Sequence, residues 1–264
     1  MAHHVHDDSS NLAGILDLEA EVLWSYHAEL IDWIHGLATA DRRILDIGCG
    51  TGTGALGLAE RFPQAEVIAV DASAAMLERL RARAGELDLD HRVRTVQADL
   101  DQSWPDLEPV DLAWAANSLH HMTDPDRVIA DIRGSLRPGG MLVVAEMDSF
   151  PRFLPDHVGP GLEERCLAAA DMERAHVLPH MGSDWRARLI AAGFDIEAER
   201  HFTVDVPAPL PAAGGRFAQE TLRRLRSGVA ERLSDRDLAM LDELLDGDGP
   251  DSILRRDDLT VRAE

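Results

Sequence analysis

The sequence predicts an α/β fold, built on a mostly parallel sheet with helices on both faces. Three observations support this prediction. Short apolar runs alternate with stretches of helical periodicity along most of the chain. Alternating glycines directly follow the first apolar run, where a strand would turn into a helix. Acidic residues end the next apolar runs, and parallel strands bring such ends to one edge of the sheet.

The predicted elements follow one another in a regular order. A long amphipathic helix opens the chain, and its apolar residues between Ile15 and Leu37 fall near one face. Strands are predicted near 43–47, 66–70, 92–97, 110–114 and 141–146, with helices near 52–61, 73–85 and 124–136. Strands joined through helices run parallel, and the ligands of such sheets bind beyond the carboxyl ends of the strands.

The first strand runs into the segment Asp46-Ile47-Gly48-Cys49-Gly50-Thr51-Gly52-Thr53-Gly54. Glycines at every second position let the backbone turn sharply and approach a ligand more closely than any Cβ would allow. The helix that follows offers N–H donors at its N-terminus, so the segment predicts a nucleotide-binding turn. Gly50, Gly52 and Ala55 also fit the loose dinucleotide fingerprint, which leaves the choice of cofactor open at this point.

Two further acidic residues narrow the choice of ligand. Asp71 ends the second strand about 20 residues after Gly52, the spacing at which a carboxylate reaches a pair of ribose hydroxyls. Asp99 follows the third strand, in the segment Ala98-Asp99-Leu100. The spacing of Asp71 predicts a ligand that contains adenosine and does not choose between cofactors, while Asp46 and Asp99 bear on that choice.

Four motifs now stand in order: Asp46 with the glycines, Asp71, Asp99, and Leu136-Arg137-Pro138-Gly139-Gly140 before a strand. In this combination, residues 40 to 148 resemble the class I S-adenosylmethionine-dependent methyltransferases. The resemblance implies a Rossmann-like, mostly parallel seven-stranded sheet and S-adenosylmethionine as cofactor.

The resemblance also implies roles for individual residues. The glycine turn would line the methionine half of the cofactor, Asp71 would bind both ribose hydroxyls, and Asp99 would accept a hydrogen bond from the adenine amino group. Met76 and the Leu100 N–H would contact the adenine ring. The expected cofactor-binding residues are Asp46, Gly48, Cys49, Gly50, Gly52, Asp71, Ala72, Met76, Ala98, Asp99, Leu100, Ala116 and Asn117, with Tyr26 of the opening helix as a further candidate.

Composition removes several competing classes of protein. The sequence contains no lysine, which excludes a Walker lysine, a pyridoxal phosphate Schiff base and the catalytic lysine of short-chain dehydrogenases. A formal net charge of −22 repels phosphodiester backbones and argues against nucleic acid as a partner. The two cysteines, Cys49 and Cys166, form no CxxC pair, and no apolar run is long enough for a membrane helix. We therefore expect a cytoplasmic protein without a membrane partner.

The remaining segments are predicted to surround the cofactor-binding core. The predicted division is a helical cap at 1–40, the core at 41–148, a lid insertion at 149–182, the end of the core at 183–206, a helical insertion at 207–257 and a last strand at 258–264. Helices are predicted near 161–175, 183–192, 214–227 and 234–245, and a strand near 195–205. The resemblance implies an antiparallel last strand, with Leu259-Thr260-Val261 as its candidate. The apolar faces of the terminal helices fit a homodimer as well as internal packing.

Methyl transfer mainly requires alignment of a nucleophile with the activated methyl group. His120 and His121 follow the fourth strand and are candidates for a general base, since imidazole accepts protons near neutral pH. The alternative is that His121 orders its loop. Candidate substrate contacts are Glu146, Asp148, Arg152 and Trp185, with loop capping as the alternative for the two acids.

The run His3-His4-Val5-His6-Asp7-Asp8 has metal-ligand chemistry, but its spacing defines no closed site and no metal is predicted. The predicted function is transfer of the methyl group of S-adenosylmethionine to an oxygen, nitrogen or carbon nucleophile of a small molecule. A phenolic, quinone-like or natural-product acceptor is expected. Two alternatives stay open: an NAD(P)-dependent oxidoreductase that uses the same turn, and a non-catalytic S-adenosylmethionine-binding protein.

Overall fold

The structure, a computed structural model, describes residues 2–38 and 42–263, without the side chains of 2–11 and 175–176. The N-terminal histidine run lies among the residues whose side chains fall outside this description. Two compact units divide the chain. The first comprises the residues up to Asp17, Ser25–Glu146 and Gly182–Arg200, and the second comprises Leu18–Trp24, Met147–Met181 and the residues from His201. No helix in the described part of the chain has the length and apolar character that crossing a bilayer requires.

The helices are α1 (Ala2–Val22), α2 (Trp24–Leu37), α3 (Thr53–Arg61), α4 (Ala74–Glu86), α5 (Pro125–Ser135), α6 (Leu162–Val177), α7 (Trp185–Ala191), α8 (Gly214–Val229) and α9 (Asp235–Asp246). The strands are β1 (Arg43–Ile47), β2 (Glu66–Asp71), β3 (Val93–Gln97), β4 (Val110–Ala116), β5 (Leu136–Ala145), β6 (Val204–Val206) and β7 (Val261–Ala263). The predicted opening helix is interrupted at Leu23 and forms α1 and α2.

A parallel sheet with the strand order β3-β2-β1-β4-β5 forms the centre of the first unit. Both faces of the sheet are covered, so the middle strands are continuous apolar runs rather than alternating ones. Ile44, Leu45 and Ile47 of β1 are fully buried. The strand order reverses between β1 and β4, and in open α/β sheets the crevice beyond the carboxyl ends at such a point is where ligands bind.

Short polar residues cap two of the helices that connect these strands, α4 and α5. The Ser73 hydroxyl accepts a hydrogen bond from the Met76 N–H at the start of α4. Asp124 caps α5 in the same way, and Pro125 occupies the first helical position, where a missing N–H has no cost. Because each helix begins directly after a loop at the carboxyl edge, these caps set where the loops end.

The fifth strand begins earlier than the sequence predicts. Leu136 already pairs with Val110, and the register then shifts so that Met141 pairs with Leu112. The Pro138-Gly139-Gly140 segment lies in this irregular stretch, and Gly139 has a positive φ of 80°. A glycine is required there because other residues adopt that backbone conformation only with strain.

The second unit corrects the expected count of seven strands in one sheet. The main sheet has five strands, while β6 and β7 form a separate antiparallel pair. The predicted strand near 195–205 is reduced to Val204–Val206, because residues 195–203 have no ladder of hydrogen bonds to a neighbouring strand. The last strand is antiparallel, as expected, but it pairs with β6 at Val261–Ala263. Within this unit, the rings of Phe153 and Phe217 pack edge to face at 5.3 Å.

Candidate functional site

The glycine turn after β1 is built so that side chains are excluded. Gly48, Gly50 and Gly52 have φ values of 66°, 52° and 90°. A Cβ on Gly48 would lie 2.6 Å from the Cβ of Ser118, and a Cβ on Gly52 would lie 2.1 Å from Leu80 Cδ1. The Gly52 N–H closes the turn by donating to the Cys49 carbonyl at 2.9 Å. The backbone itself therefore forms the surface of the turn.

Asp71, at the end of β2, connects three strand ends. Its Oδ2 accepts a hydrogen bond from the Gly50 N–H at 2.9 Å, and its Oδ1 accepts one from the Ser73 N–H at 2.8 Å. The Ala98 N–H, just beyond β3, donates to the Asp71 carbonyl at 3.1 Å. The carboxylate thus holds the glycine turn at the same edge as the loops after β2 and β3.

Asp46 lies beneath the glycine turn and is only 3% exposed. Its Oδ2 is buried and makes no hydrogen bond to any described residue. Burial raises the pKa of this carboxyl to about 7, against the lowering effect of a hydrogen bond from the Ala55 N–H. A buried carboxylate of this kind attracts positive charge. The Cys49 thiol nearby also has a raised pKa because of its burial and the two neighbouring carboxylates, so it remains protonated.

The loop after β4 completes the edge. Asn117 adopts a positive φ of 50°, and its N–H donates to the Ala145 carbonyl at 2.8 Å. Glu146, directly after β5, accepts hydrogen bonds through Oε1 from the N–H groups of Ser118 at 3.2 Å and Leu119 at 2.9 Å. Its Oε2 is bonded to Nδ1 of His120. Both side chains of this pair are buried, with exposures of 5% for His120 and 4% for Glu146.

Comparison with known proteins supports the same interpretation. Residues 44–140 match a family model described as a methyltransferase domain. The chain is 32% identical to the 27-O-demethylrifamycin SV methyltransferase of Amycolatopsis mediterranei over 188 residues, which are 70% of this chain and 66% of that protein. Residues 44–140 form a methyltransferase domain of the class I S-adenosylmethionine-dependent type.

Other similarities cover a smaller part of the chain or concern its fold alone. The chain is 37% identical to the trans-aconitate 2-methyltransferase of Azoarcus over 101 residues, covering 38% of this chain and 37% of that protein. It therefore spans less than two thirds of the length of either relative. The crystal structure of the YcgJ protein of Bacillus subtilis superposes with a TM-score of 0.53 at 21% identity, covering 80% of this chain and 86% of that one, which shows the fold alone.

The residues of this domain fit S-adenosylmethionine on structural grounds. Gly48 and Gly52 pack so closely against Ser118 and Leu80 that a Cβ at either position would clash, and the turn can therefore present its backbone N–H groups to a ligand. The methionine half of the cofactor carries a positive ammonium and a positive sulfonium, and the carboxylate of Asp46 with its unpartnered buried oxygen is the matching charge beneath the turn. Asp71 stands at the end of the adjacent strand, where the ribose is expected.

Where adenine is expected, Asp99 and Leu100 contact other residues of the protein. Met76 is buried, and Asp99 is exposed. The Asp99 carboxylate accepts hydrogen bonds from the Asp101 N–H at 3.0 Å and from the Gln102 side chain at 2.8 Å. The Leu100 carbonyl accepts one from the Arg127 guanidinium. The proposed contacts of Asp99 and Leu100 with adenine therefore stay predictions.

The other predicted site residues are distributed over both units. Tyr26 on α2 is half-buried. Trp185 starts α7 and packs against the core formed by the main sheet, with Arg188 5.7 Å from the centre of its ring. Asp148 and Arg152 belong to the second unit, where Arg152 pairs with Glu164 at 3.3 Å. Asp88, Asp90 and His91 place three ligand atoms within 4.8 Å of one another at an exposed position, and we assign no ion to them.

Sequence reasoning predicted the opening helix but missed the contacts that α1 makes beside the glycine turn. Leu16 of α1 lies so close that its Cδ1 would be 3.2 Å from a Cβ on Gly50. Asp17 pairs with Arg79 and, at 3.3 Å, with Arg83. Arg83 also donates to the Thr51 carbonyl at 2.9 Å, so one guanidinium joins α1 to the turn. Nothing in the local sequence marks these contacts, because the partners are far apart along the chain.

Replacing Arg83 with methionine is expected to weaken S-adenosylmethionine binding about fivefold. The change removes the hydrogen bond to the Thr51 carbonyl and one of the two partners of Asp17. A net loss of about 1 kcal/mol corresponds to such a factor. Calorimetric titration measures the effect. Arg81→Met is the matched control, because Arg81 lies on the same helix and its guanidinium donates to the Thr95 hydroxyl at an exposed position. Equal losses in both variants would contradict a specific role for Arg83.

Asp46 is expected to make stability decrease as the pH rises towards neutrality. Its pKa in the folded protein, about 7, lies above its ordinary value of 3.8, so the folded state keeps a proton that the unfolded state loses first. The contribution of Asp46 therefore falls between about pH 4 and pH 7 and is constant outside that range. Urea denaturation from pH 4 to pH 8 should show a smaller decrease for Asp46→Asn than for the wild type. Burial also raises the pKa of Glu19 to about 7, and only the difference between the two proteins isolates Asp46. Parallel profiles would contradict this assignment.

Proposed function

We propose that this protein transfers the methyl group of S-adenosylmethionine to a hydroxyl oxygen of a small molecule. One observation carries the proposal. At the carboxyl edge of a single sheet, the glycine turn held by Asp71 stands beside a loop that carries a buried histidine bonded to a carboxylate. Ser118 links the two parts, because it contacts Gly48 on one side and donates to Glu146 on the other.

The residues of the first unit have distinct proposed roles. When bound, S-adenosylmethionine supplies an electrophilic methyl group on a sulfonium, so the protein needs little covalent chemistry of its own. Asp46 and the glycine turn would hold the methionine half, and Asp71 would hold the ribose. His120 or His121 would accept the proton of a hydroxyl nucleophile, which is a poor nucleophile until that proton is removed.

The relatives support oxygen as the acceptor atom. The name of the Amycolatopsis relative states that it acts on 27-O-demethylrifamycin SV, and its similarity extends over 188 residues. We propose a natural-product acceptor with a phenolic, hydroquinone or alcohol hydroxyl. The net charge of −22 supports a small molecule rather than a nucleic acid as the substrate.

A carboxylate acceptor is the second candidate. The Azoarcus relative is named for trans-aconitate, although its similarity covers only 101 residues. A carboxylate is already ionised at neutral pH and needs no base. The two candidates therefore differ in whether methyl transfer depends on a histidine.

The test uses S-adenosylmethionine labelled in its methyl group and a panel of acceptors. The panel contains phenols, hydroquinones and 27-O-demethylrifamycin SV on one side and trans-aconitate on the other. Label in a hydroxyl acceptor supports the proposal, and label in trans-aconitate alone favours the second candidate. Binding of S-adenosylmethionine without label in any acceptor would favour the non-catalytic alternative. Binding of NADH in its place would favour the oxidoreductase.

A further inference from the structure

Glu146 divides its two carboxylate oxygens between two tasks. Oε1 accepts both backbone hydrogen bonds, from Ser118 at 3.2 Å and Leu119 at 2.9 Å. In the hydrogen bonds that the structure describes, Oε2 has one partner, Nδ1 of His120. The side chains of Glu146 and His120 are 4% and 5% exposed, so water competes little for either oxygen. One buried carboxylate thus fixes the loop and orients the ring.

This division determines which nitrogen of His120 carries the proton. An ionised carboxylate accepts hydrogen bonds only, so the bond to Oε2 requires a proton on Nδ1. In the neutral imidazole, Nε2 then carries the lone pair. The other hydrogen bond of a histidine is what selects its tautomer, and here that bond is the one to Glu146.

The loop that carries His120 lies at the cofactor edge of the sheet. Ser118, two residues before His120, lies against Gly48, where a Cβ would come within 2.6 Å of the Cβ of Ser118. Glu146 follows β5 and Ser118 follows β4, so the hydrogen bond between these two residues connects the ends of two neighbouring strands. His121, by contrast, is exposed, and its ring centre lies 4.1 Å from that of His120.

We propose that Glu146 is a positioning residue which holds His120 in the Nδ1–H tautomer, so that Nε2 acts as the general base of the reaction. The inference rests on the proposed function. The acceptor oxygen would form its bond to the methyl carbon as the carbon–sulfur bond breaks, the sulfur would keep the bonding pair as the neutral thioether of S-adenosylhomocysteine, and the hydroxyl proton would go to Nε2 of His120. The product is a methyl ether, and His120 leaves the step as an imidazolium paired with Glu146. Release of that proton to water restores the neutral ring.

Glu146→Gln tests this proposal with little change in shape. The glutamine oxygen can replace Oε1 and keep both backbone hydrogen bonds, while its NH₂ group takes the place of Oε2. A donor would then face Nδ1, and His120 would have to place its proton on Nε2. The variant therefore preserves the loop and removes the base. Glu163→Gln is the control for loss of a buried carboxylate, because Glu163 accepts one backbone hydrogen bond on each oxygen, from Phe153 and Leu154, and none from a histidine whose side chain the structure describes.

The first readout needs no acceptor. Long-range proton–nitrogen NMR spectra of the ¹⁵N-labelled protein distinguish the two tautomers, and His120→Gln identifies the signals of His120. We expect the Nδ1–H tautomer in the wild type and in Glu163→Gln, and the Nε2–H tautomer in Glu146→Gln. An Nε2–H tautomer in the wild type would overturn the proposal, whether or not methyl transfer is observed and whether or not the variant folds.

The second readout is turnover with the hydroxyl acceptor that the panel identifies. Glu146→Gln should lower kcat at least 100-fold, as expected for loss of a general base, and change S-adenosylmethionine affinity less than twofold. A switched tautomer with unchanged kcat would overturn the proposed base. If the wild type methylates no hydroxyl acceptor, the proposed function fails, and with it the base role of His120. The NMR spectra of the wild type and of Glu146→Gln would then show separately whether Glu146 orients the ring of His120.

Discussion

Replacing Gly48 with alanine is expected to abolish S-adenosylmethionine binding and to lower the free energy of unfolding by about 2–4 kcal/mol. Gly48 has a positive φ of 66°, which costs energy in any residue with a Cβ. The new Cβ would also lie 2.6 Å from the Cβ of Ser118, an atom that no rotation of the serine side chain can move away. The strand ends at Gly48 and Ser118 must therefore separate, and the surface of the turn is lost.

Gly85→Ala is the control for this prediction. Gly85 lies in α4, and a Cβ there would meet no heavy atom within 4 Å. Alanine in an exposed helix is expected to stabilise the protein by up to about 1 kcal/mol. Denaturation in urea measures both variants, and calorimetry measures cofactor binding. If Gly48→Ala binds S-adenosylmethionine as tightly as the wild type does, the turn is not the cofactor site.

Replacing Asp71 with alanine is expected to weaken S-adenosylmethionine binding by about two to four orders of magnitude. Each hydrogen bond to a charged group contributes about 1.5–3 kcal/mol, and the ribose is expected to offer two hydroxyls. The variant also removes the hydrogen bonds that Asp71 accepts from Gly50 and Ser73, which fix the turn before the ligand arrives. Loss of these bonds should lower the free energy of unfolding by about 1–3 kcal/mol.

Calorimetric titration of Asp71→Ala, with the exposed Asp106→Ala as a control for net charge, provides the measurement. The control should bind as the wild type does. A third variant, Asp71→Asn, bears on whether Asp71 acts by fixing the turn or by binding the ribose. Both carboxylate oxygens of Asp71 accept hydrogen bonds from N–H groups, so the NH₂ group of asparagine would face one of these N–H donors. Wild-type affinity in Asp71→Ala would remove Asp71 from the cofactor site.

The central strands and their helices were predictable because burial on both faces leaves a simple signal. A continuous apolar run such as Val67 to Val70, bounded by acidic residues, has few other interpretations, and β1 to β4 lie within two residues of their predicted bounds. The segment 195–203 is different. Its apolar residues alternate with charged ones as in a strand, yet a strand exists only where a neighbour supplies hydrogen bonds.

The candidate site was likewise predictable only where the signal is local in the sequence. Asp46, the glycines and Asp71 were predictable because local spacing around a strand end determines where they lie. The bond between His120 and Glu146 joins residues that are 26 positions apart, and the contact of Arg83 with Thr51 joins residues that are 32 positions apart. Such pairs depend on how β4 packs beside β5 and how α4 packs beside the turn. The sequence marked both Glu146 and His120 as candidates but could not show that they are partners.

Calorimetric titration of the purified protein with S-adenosylmethionine, S-adenosylhomocysteine and NADH, side by side, tests the central claim most directly. The turn at Gly48 to Gly52, with Asp46 beneath it and Asp71 beside it, predicts binding of the first two with micromolar or tighter dissociation constants and no binding of NADH. Binding of NADH without binding of S-adenosylmethionine would contradict the account.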